Sequence, residues 1–200
     1  NNQFGLIDIA RAKFPSFEID LCHRIDKSTS GCLLLSKNKK FLRHFHKELQ
    51  NNRVIKIYEA ILKGVMEKDI RIETNINLST KEHHHKVQES LDGKKAVSKF
   101  KILKKYNSFT HVEILISTGR MHQIRVQSAN LNHPILNDKK YGSFSLNKRI
   151  IKETSISRLA LHAASISFND LSGKNITYGA PKNNEFDILL SKLDNLTIKS

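Results

Sequence analysis

An aspartate set inside an apolar run is the feature that any fold of this chain has to accommodate. The run reads Leu21-Cys22-His23-Arg24-Ile25-Asp26-Lys27-Ser28-Thr29-Ser30-Gly31-Cys32-Leu33-Leu34-Leu35. Apolar residues alternate into Asp26 from one side, and a continuous apolar stretch begins at Cys32. An unpaired carboxylate is costly in low dielectric. Asp26 therefore either marks a turn at the surface or is held half-buried by a partner cation. A second segment, Gly119-Arg120-Met121-His122-Gln123-Ile124-Arg125-Val126, offers that cation. In a helix starting near Arg120, Arg125 shares a face with Met121 and Ala129, four residues to either side. A guanidinium emerging from an apolar stripe needs a carboxylate suited to its planar fork. Asp26 stands in the most comparable surroundings; the competing reading is a surface helix with ordinary arginines.

The rest of the pattern alternates strands with helices. Residues 5–14 read as a short helix with Leu6, Ile9, Ala10 and Phe14 on one face, stopped by Pro15. Gly31 to Ser36 is expected to be a buried strand. Asn38 then caps a helix with Phe41, Leu42, Phe45 and Leu49 on its apolar face and Lys39, Lys40, Arg43 and Lys47 elsewhere. Val54 to Leu62 alternates as a strand, with Tyr58, Ala60 and Leu62 on one side and Ile55, Ile57 and Ile61 on the other. By itself Tyr58 reads as a core tyrosine. Asp92-Gly93 signals a hairpin turn between two polar strands. Ser98 to Tyr106 and Thr110 to Ser117 read as paired strands, after which a helix opens at Thr118 or Gly119 and ends near Asn132-His133-Pro134. Ile166 to Phe168 and Asn175 to Tyr178 flank a turn at Ser172-Gly173, and a last helix carries Phe186, Leu189, Leu190 and Leu193. Strands outnumber helices and most links are of hairpin length. The expected class is α+β: one domain on a mixed, mainly antiparallel sheet flanked by helices.

Two hundred residues suffice for one sizeable core, and their net charge is +15. Such an excess of Lys and Arg points to a polyanion such as nucleic acid. Codon usage in an AT-rich genome would also yield a chain rich in Lys, Asn and Ile and lacking Trp. No run of eighteen apolar residues occurs and no secretory leader is read before the first helix, so no membrane partner and a cytoplasmic location are expected. Cys22 and Cys32 lack C-x-x-C spacing and lie in apolar runs, which suits buried free thiols in a reducing compartment. His83-His84-His85 cannot all face one ion from a strand, and no Cys or carboxylate stands beside them at ligand spacing, so no metal site is expected. P-loop, G-x-G-x-x-G and zinc-deaminase patterns are absent.

Taken as strings, four segments resemble the pseudouridine synthases of the ribosomal-large-subunit and tRNA type. That family's H-R-L-D-x-x-T-S-G-L-L-L-x-A-K is matched by His23 through Lys37, and its K-x-Y-x-A-x-x-x-G by Lys56 through Gly64. Its G-R-T-H-Q-I-R-V-H-x-A-x-x-G-H-P-I-x-x-D-x-x-Y-G corresponds to Gly119 through Gly142, and its R-L-x-L-H-A to Arg158 through Ala163. Ile25 stands where the family has Leu, Met121 for Thr, Gln127 for His and Asn132 for Gly. The K-P-x-G strand and the S4-type RNA-binding domain that usually precede the first block are not found ahead of it. Residues 1–200 are accordingly expected to be a pseudouridine synthase catalytic domain.

The resemblance implies the pseudouridine synthase fold and the isomerisation of uridine in RNA. The N1 glycosidic bond breaks, the uracil turns, and C5 bonds to the same sugar carbon. Nothing is oxidised and no group is added, so no cofactor is implied. Asp26 corresponds to the aspartate that stabilises or traps positive charge on the sugar, as carboxylates do in glycosidases. Arg125 corresponds to its partner, which would keep it ionised. Tyr58 corresponds to the ring that stacks on the uracil and is a candidate to take the C5 proton. His23, Arg24, Thr29, Arg120, His122 and Gln123 are the implied RNA contacts, and the target base must leave its stack to reach them. The wording around Gly93-Lys94-Lys95-Ala96 and Phe100-Lys101-Ile102 is most similar to large-subunit members, which favours 23S rRNA over tRNA, acted on by a monomer. An inactive RNA-binding or ribosome-assembly protein of the same fold is the competing class, and intact Asp26, Tyr58 and Arg125 argue against it.

Overall fold

The computed structural model describes residues 5–78 and 87–196. The first helix, α1 (Leu6–Lys13), starts where the Gly5 N–H donates to Asp8 Oδ2 at 2.8 Å. Three two-residue strands follow: β1 (Asp20–Leu21), β2 (Ser30–Gly31) and β3 (Leu35–Ser36), with β1 antiparallel to β3. Helix α2 (Lys39–Gln50) is capped by Asn38, whose side chain accepts from the Phe41 N–H at 2.8 Å. Its Phe41, Leu42, Phe45 and Leu49 pack with Cys22, Val54, Ile166 and Phe168 in a core of their own. Four long strands and a short one come next: β4 (Ile55–Lys63), β5 (Ile70–Leu78), β6 (Val87–Glu89), β7 (Lys94–Lys105) and β8 (Phe109–Ile116). Helices α3 (Gln123–Asn130) and α4 (Phe144–Thr154) lead to the hairpin of β9 (Leu161–Asn169) and β10 (Asn175–Gly179), and α5 (Asn184–Lys192) closes the described chain.

The main sheet runs β10-β9-β4-β8-β7-β5-β6, antiparallel throughout, with β2 added parallel to β9. Strand β4, paired on both sides with β8 and β9, is an interior strand of the sheet and runs through the main core, where Ala60, Ile61 and Leu62 meet Phe100, Phe109, Ile114, Ile150 and Phe186. A β-bulge between Ile57 and Tyr58 shifts the β4–β9 register just where Tyr58 sits. The class read from the sequence, α+β on a mixed and mainly antiparallel sheet, is the one present. Among the described residues no helix is long and apolar enough to cross a membrane.

Several local expectations are corrected. The stretch Gly31–Ser36 is not one strand, because Gly31 and Leu35 pair with different partners, β9 and β1. Asp92-Gly93 does not close a hairpin. Strands β6 and β7 lie on opposite sides of β5, and the turn crosses the β5 backbone, where a Cβ on Gly93 would stand 2.6 Å from the Ile76 nitrogen. Helix α3 starts at Gln123 rather than at Thr118 or Gly119, because His122 is left-handed with φ of 54°. Met121 is therefore outside the helix, and α3 is buried on all sides from Gln123 to Ser128 instead of presenting a stripe. Cys22 is buried, and burial pushes its thiol up to about 11. Cys32 is only half-buried; both thiols are free. Helix α4 was not expected from the sequence. The expectation at His83-His84-His85 falls outside the described residues.

Candidate active site

The segment that carries Asp26 is neither helix nor strand, so it must be fixed from outside. A turn fixes one end, with the Thr29 N–H donating to the Asp26 carbonyl at 2.9 Å. The other end is the parallel β2–β9 bridge, in which Ser30 faces His162 and Gly31 faces Ala163. The Ser30 hydroxyl lies 2.9 Å from His162 Nδ1, and His162 Nε2 lies 3.1 Å from the Ala180 carbonyl. Gly31 has φ of 111°, and a Cβ there would fall 2.2 Å from the Ala163 carbonyl oxygen. The Arg158–Ala163 block thus supplies the strand on which the Asp26 turn is hung.

The opposite wall is the turn before α3. Gln123 stabilises it: its amide oxygen accepts from Thr118 Oγ1 at 2.9 Å and the Arg120 N–H at 3.1 Å, while its nitrogen donates to the Val97 carbonyl and Ser98 Oγ. Two turns of sequence bring Arg125 to Asp26. Arg125 Nη1 donates to Asp26 Oδ2 at 3.0 Å, but its Nε and Nη2 donate in parallel to Asp138, at 2.8 and 2.9 Å. The Asp138 side chain is 1% exposed, against 10% for Arg125 and 18% for Asp26. Burial works against the Asp138 carboxylate, yet Arg125 outweighs it and leaves the pKa below the ordinary value. Burial likewise opposes charge on Arg125, and the two aspartates together hold it above its ordinary range. Asp138 Oδ1 also accepts from the N–H groups of Lys140 and Tyr141, which brings the Tyr141 ring to 5.1 Å from the guanidinium carbon.

These walls enclose an open cavity of about 620 Å³. Asp26, Tyr58 and Arg125 all line it. Asp26 Oδ1 accepts no hydrogen bond from the described residues, so one carboxylate oxygen is held by Arg125 and the other is presented. Burial, and then the charge of Asp26, push the Tyr58 phenol above its ordinary range, so it stays protonated at neutral pH. The sequence-derived RNA contacts divide into two sets. Arg24, Arg120 and His122 present polar groups at the cavity, with Arg120 Nε donating to the Lys95 carbonyl and His122 Nδ1 2.8 Å from the Tyr141 hydroxyl. Burial lowers the His122 pKa against the opposing pull of Asp26 3.8 Å away, with Arg125 and Lys140 lowering it further.

The other three also line the cavity but lie deeper in the protein, and the buried His23 Nδ1 and Thr29 Oγ1 have no hydrogen-bond partner among the described residues. His23 Nε2 accepts from the Leu34 N–H at 3.1 Å, and burial followed by Lys56 lowers its pKa to about 4. Thr29 is buried. Gln123 spends all four of its amide bonds on the protein itself. Two residues of the cavity region went unassigned in the sequence. Asp138 was visible only as the aspartate of the third matched block, and Lys56 only as the residue two before Tyr58.

Residues 4–130 match the family described as RNA pseudouridylate synthase. Proteins named ribosomal large subunit pseudouridine synthase C are similar along most of the chain. That of Buchnera aphidicola subsp. Baizongia pistaciae is 37% identical over 95% of this chain, and that of Buchnera aphidicola subsp. Schizaphis graminum 39% over 94%. The Haemophilus influenzae protein is 35% identical over 95%. The chain spans about three fifths of the length of these relatives, 60 to 62%. In fold it resembles the human RNA pseudouridylate synthase domain containing 1 (TM-score 0.75, 23% identity, 96% of this chain and 86% of that one). It also resembles domain containing 4 (TM-score 0.72, 24% identity, 88% and 76%).

Proposed function

Because this chain belongs to the RNA pseudouridylate synthase family, we propose that it isomerises uridine to pseudouridine in RNA and that large-subunit ribosomal RNA is its substrate. The names of the relatives support the choice of RNA. One observation carries the chemistry: Asp26 presents a single free carboxylate oxygen to a cavity, with its other oxygen locked by a buried Arg125.

Breaking the N1–C1′ bond builds positive charge on the ribose and negative charge on the uracil. Asp26 Oδ1 is the group that meets the first, by stabilising the cation or by bonding to C1′. The pair with Arg125 fixes the rotamer, so the carboxylate needs no reorganisation as charge develops. Tyr58 forms the adjoining wall on the buried strand β4. Its ring can stack against the uracil, and its raised pKa keeps the hydroxyl protonated, able to donate a hydrogen bond but with little phenolate present at neutral pH to take the C5 proton. Closing the cycle requires C5–C1′ bond formation, loss of the C5 proton and gain of a proton at N1. The balance involves no electrons from outside, so no cofactor is needed. The cavity opens at Arg24 and Arg120, where phosphates of an RNA with its uridine swung out of the stack would lie. We place the enzyme in the cytoplasm as a monomer.

The test is to incubate the purified chain with 23S rRNA and tRNA transcripts and map pseudouridine by carbodiimide modification and primer extension. Modification of the rRNA by the native chain, with none by Asp26→Asn of unchanged fold and RNA affinity, is expected. Modification of tRNA alone would replace the substrate; turnover by Asp26→Asn would overturn the mechanism.

A further inference from the structure

A cation is buried in the cavity with no counter-charge bonded to it among the described residues. Lys56 is 6% exposed and lines the cavity, and its ammonium makes no hydrogen bond or ion pair with any described residue. Lysine is rarely buried without a partner because an ammonium loses its hydration and receives nothing in return. A site that needed only packing would hold Leu or Met. Lys56 instead sits two residues before Tyr58 on β4, where residues two apart lie on one face roughly 7 Å from each other. Its ammonium reaches the turn that begins α3, and a Cβ on Gly119 would stand 2.8 Å from Nζ. Its charged neighbours are positive or neutral: burial lowers its pKa to about 8 with Arg120 acting in the same direction, and it lowers that of His23 in turn. Asp26 is already held by Arg125.

We propose that Lys56 is an anion subsite inside the cavity, filled by a backbone phosphate of the RNA next to the flipped uridine. The inference rests on the reading that RNA is the substrate. A phosphodiester carries its full charge in the ground state and can answer a permanently buried cation, whereas a uracil carbonyl carries charge only while the glycosidic bond is broken. Arg24 and Arg120 at the rim of the same cavity extend the track along which the phosphates run. Lys56 acts here as a positioning residue: it sets the depth to which the nucleotide enters, with Tyr58 and Asp26 beyond it.

The test uses Lys56→Met and Lys56→Arg in the full chain, with a 23S rRNA transcript as the probe. Binding is measured at several salt concentrations, turnover is measured separately, and melting is followed without RNA. Lys56→Met is expected to bind about ten- to a hundredfold more weakly, as for loss of a charge-assisted bond. Its dependence of log affinity on log salt should be shallower by about 0.7–0.9. It should melt at a higher temperature than the native chain, since an uncompensated buried charge is gone. Lys56→Arg should restore the salt slope. An unchanged affinity and salt slope with a lower kcat would assign the ammonium to the uracil and overturn the phosphate subsite. A lower melting temperature with unchanged binding would make Lys56 a packing residue, and would overturn it as well. Absence of turnover in the native chain would refute the proposed activity, while the binding and melting measurements would still decide the subsite.

Discussion

Asp138→Asn isolates the residue on which the geometry of Asp26 depends. Asp138 Oδ1 accepts three hydrogen bonds, from Arg125 Nη2 and the N–H groups of Lys140 and Tyr141, and Oδ2 accepts one from Arg125 Nε. An amide can place its oxygen at the first position, but its NH2 group then faces the Nε–H of Arg125, donor against donor. The buried guanidinium also loses its principal counter-charge and keeps only Asp26. Breaking one partner of a buried pair costs about 3–5 kcal/mol. For a chain of this size each kcal/mol moves the midpoint by about 2–4 °C, so a fall of roughly 6–20 °C is expected. Turnover should fall as well, because Arg125 is then free to leave Asp26. The assay is thermal and urea denaturation with single-turnover pseudouridine formation. It is run on Asp138→Asn, Arg125→Met and the double variant, where shared contacts should make the double loss smaller than the sum of the single ones. Asp26→Asn is the control: its side chain is partly exposed and Arg125 keeps both bonds to Asp138, so stability should change by about 1 kcal/mol or less. An Asp138→Asn protein that melts within a degree or two of the native one, with turnover intact, would refute the reasoning.

Two further outcomes follow from the same geometry. Gly31→Ala places a Cβ 2.2 Å from the Ala163 carbonyl oxygen at a φ of 111°, so the β2–β9 bridge must open; a loss of roughly 2–4 kcal/mol and a larger loss of turnover are expected in denaturation and single-turnover assays, and native behaviour in both would sink the role given to this bridge. His23 is neutral in the fold with a pKa of about 4 against 6.5 unfolded, so between these values the unfolded chain binds more protons and stability falls as pH falls; its contribution of about 3 kcal/mol is complete above pH 6.5 and lost by about pH 4, and urea midpoints of native and His23→Gln proteins that track each other across that window would show another group to be responsible.

The sequence alone determined what depends on local period and on local strings. The amphipathic stripe and Asn38 cap of α2 needed only neighbours three and four residues away, and the β7–β8 and β9–β10 hairpins needed only alternation and a short link. The four matched blocks pointed to Asp26, Tyr58 and Arg125, and the structure brings all three to one cavity. Which polar groups face the cavity was decided by tertiary structure. Gln123 and His23 belong to motifs that read as RNA contacts, yet the Gln123 amide nitrogen is spent on Val97 and Ser98 and His23 Nε2 on Leu34, residues no local pattern could assign to them, while the buried His23 Nδ1 has no partner among the described residues. Asp138 matters more to Arg125 than Asp26 does, because a loop thirteen residues on folds back to be buried against it. Lys56 looks like one more lysine in a chain with a charge of +15 until β4 becomes an interior strand of the sheet and takes it out of water. The reason is common to all of these: backbone conformation answers to adjacent side chains, while the energy of a polar group depends on burial and on partners that only long-range folding supplies.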